Sequence, residues 1–338
     1  MDAARGLSSG WRNVPRRAAS TLGLTLFVFA SLLTFPNALP WMVAAWLAWH
    51  AALVVRGRRS WLPLACCGLV LLAKNPATLP GLGALLAAMA VACVLICRVE
   101  SAERKNPQHP RRGSRLATLA IAWTLLAAGW TLFALDWWGI GRARQASLDG
   151  RPIVLLGDSL TADMPPEGSY ADHLQTLVSP PVINLGVPGI TTSKALKILP
   201  DVIAARPQVV VVELGGHDFL KNRSREETRA NLERIIVEIQ AAGAAVVLVE
   251  TPRALIRDPY RGLERELARR HGLVLVPDTP VRRLVLQNRY SPLDVVFPNS
   301  RLSEDGIHPN ARGNRLLAEW VAGALRRLYG PAVEKWGV

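Results

Sequence analysis

The chain has 338 residues, half of them apolar, and carries 40 Lys and Arg against 26 Asp and Glu, which leaves room for two domains and a formal charge of +14. The balance is uneven: up to residue 150 there are 16 Lys and Arg against 5 Asp and Glu, with nine of the eleven Trp and all four Cys, and beyond it 24 against 21. One uniform globular body is therefore excluded. Nucleic acid is excluded as a partner too, because the basic residues of the first part sit in short clusters between long apolar runs rather than along one polar face.

Apolar stretches run at about 19–35, 38–55, 60–79, 78–97 and 116–135, each close to the roughly 20 residues a helix needs to cross hydrocarbon. The third is the shortest. Its purely apolar part, Trp61–Ala73, would rise only about 20 Å against a core of roughly 30 Å, and it spans only if Lys74 snorkels to an interface. Basic clusters set the expected topology. Arg5, Arg12, Arg16 and Arg17 precede the first run, and Arg56, Arg58 and Arg59 follow the second. Arg98, Arg104, Lys105, Arg111, Arg112 and Arg115 lie between the fourth and fifth. Five spans put all three clusters in the cytoplasm, whereas four would put the richest one outside. Five spans are therefore expected, with everything after about Trp138 on the extracytoplasmic side of a cell membrane. A cleavable signal peptide is the alternative for the first run, and it would leave that side unchanged.

Trp41, Trp61, Trp137 and Trp138 fall near span ends, where an interfacial aromatic belt places them. Cys66, Cys67, Cys93 and Cys97 lie inside spans without a histidine cluster, so they read as small packed side chains and no metal is expected. His50, in the second run, is a functional candidate by its position in a span and a structural residue by its place near the span's end.

From Arg151 the pattern changes to short β-branched runs alternating with amphipathic stretches. Strands are expected at Ile153–Leu156, Val182–Leu185, Val209–Leu214, Ala245–Glu250 and Leu273–Val276. Continuous Val/Ile/Leu runs of this kind suit strands buried on both faces, hence a parallel sheet covered by helices. Helices are expected at Tyr170–Val178, Ser193–Ala204, Arg225–Ala242, Tyr260–His271 and Ala311–Tyr329. The expected organisation is a transmembrane region over 1–138, a linker over 139–150, an α/β domain over 151–330 and a tail over 331–338.

In an open parallel sheet the site lies beyond the carboxyl ends of the strands. After the first strand comes Gly157-Asp158-Ser159-Leu160, after the second Asn184-Leu185-Gly186-Val187-Pro188-Gly189, and after the third Glu213-Leu214-Gly215-Gly216-His217-Asp218. Asp305-Gly306-Ile307-His308-Pro309-Asn310 stands directly before the final helix. Singly these are turns, and Asp305 to Asn310 reads equally as a helix entry with Asn310 as cap. Together they supply what acyl transfer needs: a serine, a base to take its proton, a carboxylate to hold the base in one tautomer, and donors for an oxyanion.

These four blocks, in this order and spacing over roughly residues 151–329, resemble the GDSL or SGNH hydrolases, and within them the lysophospholipase/thioesterase-like branch. The resemblance implies a three-layer α/β/α, flavodoxin-like fold following the all-α transmembrane region. It makes Ser159 the nucleophile, His308 the base and Asp305 its orienting carboxylate, with the backbone N–H groups of Ser159 and Gly189 as oxyanion donors. Position 161 is Thr, so this is not the Gly-x-Ser-x-Gly elbow of the α/β-hydrolases. One residue departs from the pattern: where the family usually has an asparagine that donates to the oxyanion, this chain has His217. An imidazole N–H also donates, subject to tautomer and pH; the other reading is a weakened or repurposed site.

Other candidates are weaker. His173 and His271 fall in expected helices. Arg253, Arg257 and Arg261 follow the fourth strand and suit either an anionic substrate group or a solvated loop. Val281–Asn299, carrying Arg282, Arg283 and Arg289, suits either a lid or an ordinary excursion beside the sheet.

The resemblance and the spans together imply a membrane-anchored serine esterase outside the cytoplasm, acting without metal or organic cofactor. Its expected partners are the lipid bilayer and an acyl-ester substrate: lysophospholipid, another acyl ester, or an O-acetylated envelope sugar. Transfer of an acyl group to an envelope glycan is the enzymatic alternative, and a non-catalytic envelope binding protein with a degenerate site is the other.

Overall fold

The structure is a computed structural model that describes residues 23–28, 39–55, 61–74, 80–105, 112–139, 146–251, 253, 258–278, 302–305 and 308–335. The N-terminal part is helical: residues 23–28, then α1 (Leu39–Val55), α2 (Trp61–Lys74), α3 (Pro80–Lys105) and α4 (Arg112–Gly139). Two compact units divide the chain. One takes in α1, α2, α3 from Leu85 and α4 up to Trp130; the other takes in the remaining ends of α3 and α4 and everything C-terminal to them.

Two helical segments are long and apolar enough to cross a membrane, Gly81–Val99 in α3 and Gly113–Trp137 in α4. Only 28% and 22% of their most apolar windows are buried, so most of their apolar residues are not spent on a protein core. Leu116, Ile121, Leu132 and Leu135 of α4 are all exposed. These segments fall on the fourth and fifth expected spans. At 1.5 Å per residue α1 reaches about 26 Å and α2 about 21 Å, both short of a roughly 30 Å core. The first expected span lies largely outside the described residues. Within the helical unit Trp46 is fully buried, with the Phe27 ring edge-on at 4.7 Å. His50 is also fully buried, 5.2 Å from the Trp123 ring.

In the second unit five parallel strands, β1 (Ile153–Gly157), β2 (Val182–Asn184), β3 (Val209–Glu213), β4 (Ala245–Val249) and β5 (Val274–Val276), form one sheet in the order β2-β1-β3-β4-β5. Register places Ile153 opposite both Val182 and Val209, and Val209 opposite Ala245. Alternation along each strand feeds two separate cores. Ile153, Leu155, Val209, Val211, Val247 and Val249 pack with Leu174, Leu317, Val321 and Leu325, which lie on α5 (Tyr170–Leu177) and the C-terminal helix α10 (Ala311–Tyr329). Val154, Leu156, Val210, Val212, Val246 and Leu248 pack instead with Leu199, Leu232, Ile236 and Leu267. Those residues lie on α6 (Thr192–Ala204), α8 (Arg225–Ala241) and α9 (Leu263–His271). The result is the expected three-layer α/β/α fold. Each buried Val, Leu or Ile contributes on the order of 1.5–3 kcal/mol.

Polar side chains cap three helix starts, of which only the Asn310 cap is expected from the sequence. Ser169 and Ser224 accept N–H bonds from Ala171 and Glu227 to cap α5 and α8, and Asn310 takes those of Arg312 and Gly313 to cap α10. Two details differ from expectation. Helix α9 begins at Leu263 rather than Tyr260, because Asp258 accepts the Tyr260 N–H in a turn and Gly262, with φ of 73°, supplies the left-handed entry. A five-residue helix, α7 (Gly216–Leu220), follows β3 directly; one turn is too short to show a periodicity.

Candidate active site

The strand order reverses direction between β1 and β3, and in such sheets the crevice at that point, at the strands' carboxyl ends, is where ligands sit. The first three sequence blocks meet there. Gly157 closes β1 opposite Glu213 of β3. Asp158 then donates its N–H to the Glu213 carbonyl, and its carboxylate accepts the Leu160 N–H at 3.1 Å, so Ser159 rides on a tight turn, half-buried at the rim.

The second block is pressed against this turn. A Cβ on Gly186 would lie 2.5 Å from the Ala162 nitrogen, so only glycine allows the approach. Asn184 ties the two together, donating to the Thr161 carbonyl at 2.8 Å and to Ser169 Oγ at 3.1 Å while accepting the Gly186 N–H at 2.9 Å. Gly189 follows with φ of 74°, a backbone conformation that favours glycine.

The third block reaches Gly189 through Asp218. Its buried carboxylate accepts both the Thr192 N–H at 2.8 Å and the Thr192 hydroxyl at 2.6 Å, fastening α7 to the start of α6. His217, one residue earlier, is thereby set beside Gly189: its Cε1 lies 3.9 Å from where a Cβ on Gly189 would stand. Among the described residues neither the N–H of Ser159, nor that of Gly189, nor either ring nitrogen of His217 has a protein hydrogen-bond partner. Three donors therefore stand unspent on one rim.

The fourth block pairs an imidazole with a carboxylate. His308 Nδ1 lies 2.5 Å from Asp305 Oδ2, and the His308 N–H donates to Asp305 Oδ1 at 3.0 Å. Ser303 donates to the same carboxylate at 2.8 Å, and its own N–H meets the His308 carbonyl, which locks the turn. With Nδ1–H directed at Asp305, Nε2 is the nitrogen left to accept a proton. The block is anchored to the loop after the first one: Glu167 accepts the Ala311 N–H at 3.1 Å, and its carbonyl takes Asn314 Nδ2 at 3.2 Å. Among the described residues Ser159 and His308 share no hydrogen bond. In unliganded enzymes such bonds are commonly long and tighten on substrate.

Of the secondary candidates, Arg253 is not a solvated or substrate-facing cation. It is buried and paired with Glu264, lies 4.9 Å over the Tyr260 ring, and donates to the Gly215 carbonyl at 3.3 Å. It supports the turn that carries His217. His271 pairs with Glu233 at 3.1 Å, and His173 is half-buried on α5. Arg257, with Val281–Asn299 and its three arginines, lies outside the described residues.

Two carboxyls escaped the sequence reading. Asp158, read only as part of a turn, and Glu213, read as the last polar residue of an apolar run, are both buried behind Ser159. Burial first, and the Asp158 carboxyl second, push Glu213 well above the usual carboxylate range. The available signal was a lone carboxyl closing a strand of four valines.

Comparison with known proteins gives a match over the second unit. Residues 155–316 match the model of the GDSL-like lipase/acylhydrolase family. The chain carries a GDSL-like lipase/acylhydrolase domain. Thioesterase 1/protease 1/lysophospholipase L1 of Escherichia coli (strain K12) is 28% identical over 188 residues, 52% of this chain and 84% of that one. An arylesterase of Vibrio mimicus is 29% identical over 199 residues, 54% and 90% respectively. The solved crystal structure of TesA is 25% identical, with a TM-score of 0.43, covering 52% of this chain and 99% of that chain.

Proposed function

We propose that the protein is a membrane-anchored serine esterase in which Ser159, His308 and Asp305 cleave an acyl or acetyl ester on the extracytoplasmic side of the membrane. Ser159 Oγ attacks the carbonyl carbon while His308 Nε2 takes its proton. Asp305 holds the imidazole in the competent tautomer and stabilises the imidazolium. The oxyanion is received by the N–H groups of Ser159 and Gly189 and by the His217 ring, each donor being worth on the order of 10²–10³ in rate. His308 then protonates the leaving alcohol, and water, activated by the same base, releases the acid.

The observation that carries this reading is the 2.5 Å contact of His308 with Asp305. It stands on a turn leading into a helix that is hydrogen-bonded to Glu167, in the loop after Ser159. Membrane anchoring is supported by the two long apolar segments of α3 and α4, and the outward side by the three basic clusters. Relatives named as lysophospholipase, thioesterase and arylesterase favour an acyl chain on a small or lipid leaving group, which an enzyme held at a bilayer meets readily.

The test is turnover by the purified full chain across short and long acyl esters, thioesters and acetylated sugars. Ser159→Ala and His308→Ala should each lower kcat by roughly 10³-fold or more on whichever substrate responds, because the pair acts as a unit. Asp305→Asn should be severe but leave more activity. Near-normal turnover by Ser159→Ala contradicts the mechanism.

A further inference from the structure

Behind the nucleophile turn lies a buried cluster that the catalytic steps above do not use. Glu213 Oε2 accepts the Asp158 N–H at 3.3 Å and the Thr161 hydroxyl at 3.2 Å, and its Oε1 accepts the Thr251 hydroxyl at 3.0 Å. One carboxyl at the end of β3 thus ties the β1 turn to the end of β4. Asp158 follows β1 beside it, and both carboxyls are buried. Two like charges buried side by side repel, which favours one of the two being a neutral carboxylic acid.

The second face of Asp158 meets the third block. Its Oδ2 lies 2.9 Å from where a Cβ on Gly216 would stand, directly before His217. The pair therefore sits between the residue that attacks and the loop that carries the third oxyanion donor. The titratable groups facing Glu213 are Asp158 from the β1 turn and Tyr170 from α5; Thr161 and Thr251 are neutral, and α7 contributes backbone at Gly216.

We propose that Glu213 is a positioning residue, a carboxylic acid that shares its proton with Asp158 and so holds the Ser159 turn and the His217 loop in register. The proposal rests on the serine-esterase reading for its kinetic consequence, but not for the proton itself. When the proton leaves, two carboxylates are forced together in a buried site, and the turn must shift to separate them.

Burial and Asp158 both favour the protonated form, so Glu213 keeps its proton above the usual carboxylate range. Sign follows from that. Stability from the pair is fully present below the ordinary carboxylate pKa and is lost as pH rises through the raised one. Activity should carry an alkaline decline, opposite in direction to the rise expected as the catalytic base is freed of its proton.

Three variants of the full chain in detergent test this. Glu213→Gln keeps a donor for Asp158 without a titrating proton; it should hold kcat near wild type and abolish the alkaline decline. Glu213→Ala should lower kcat about tenfold or more with a smaller change in KM; if it does not fold, the Gln variant alone decides. In a Ser159→Ala background, which needs no turnover, infrared difference spectra at neutral pH should show a protonated-carboxyl band that Glu213→Gln removes. Loss of both band and decline supports the proposal. A band unchanged by Glu213→Gln, or an alkaline decline that persists in it, overturns the proposal and leaves the esterase reading untouched. Full activity of Ser159→Ala would overturn the esterase reading, with the infrared comparison still deciding the acid pair.

Discussion

His217 is where this chain departs from the pattern of the hydrolases it resembles, and its surroundings favour the proposed donor role. Asp218 holds it beside Gly189, and its ring nitrogens have no competing partner among the described residues. His217→Ala should therefore lower kcat by something like 10²–10³ with little change in KM, the scale for one lost oxyanion donor. Restoring an amide with His217→Asn should recover much of that loss. A kcat within a few fold of wild type for His217→Ala would make the side chain structural and leave the oxyanion to the two backbone donors. The residues proposed to act chemically were legible because the proposed reaction demands particular types in turns: Ser159, Asp305 and His308 all stood out. Residues that act by holding others were not. Asp218, Asn184 and Arg253 look like ordinary loop polars until their partners, far away in sequence, are known.

At the scale of elements, all five strands and the five longer helices of the hydrolase unit were legible within a few residues. Valine-rich runs and helical stripes report burial directly. The short α7 was not, although it sets the position of His217. Close approaches between elements were equally hidden, and the one at Gly186 is open to test. Adding a single methyl there would drive the β2 loop off the Ala162 backbone, since the contact would be 2.5 Å and involves main chain rather than a movable side chain. Gly186→Ala should cost about 1–3 kcal/mol of stability, typical of overpacking, and lower kcat because the displaced loop carries Gly189. Thermal unfolding and steady-state kinetics on the same preparation check both; an unchanged Tm with unchanged kcat would show that the two blocks yield without consequence.

In the whole molecule the domain matched to the hydrolases follows helices with much exposed apolar surface. Hydropathy located α3 and α4 well, because a run of 20 apolar residues is readable without any tertiary information. The topology comes from charge alone. Reporter fusions check it: a periplasm-active reporter after Val338 should be active and one within the Arg98–Arg115 loop inactive, and the reverse would defeat the five-span arrangement. The most direct single measurement unites side and chemistry. Intact cells and opened membranes are treated with a charged fluorophosphonate that does not cross the bilayer, and the labelled residue is mapped in the full chain and in its Ser159→Ala variant. The account predicts a single adduct on Ser159 in intact cells, absent from the variant. No adduct at Ser159 even in opened membranes would contradict the serine mechanism, and an adduct appearing only after opening would place the site on the cytoplasmic side.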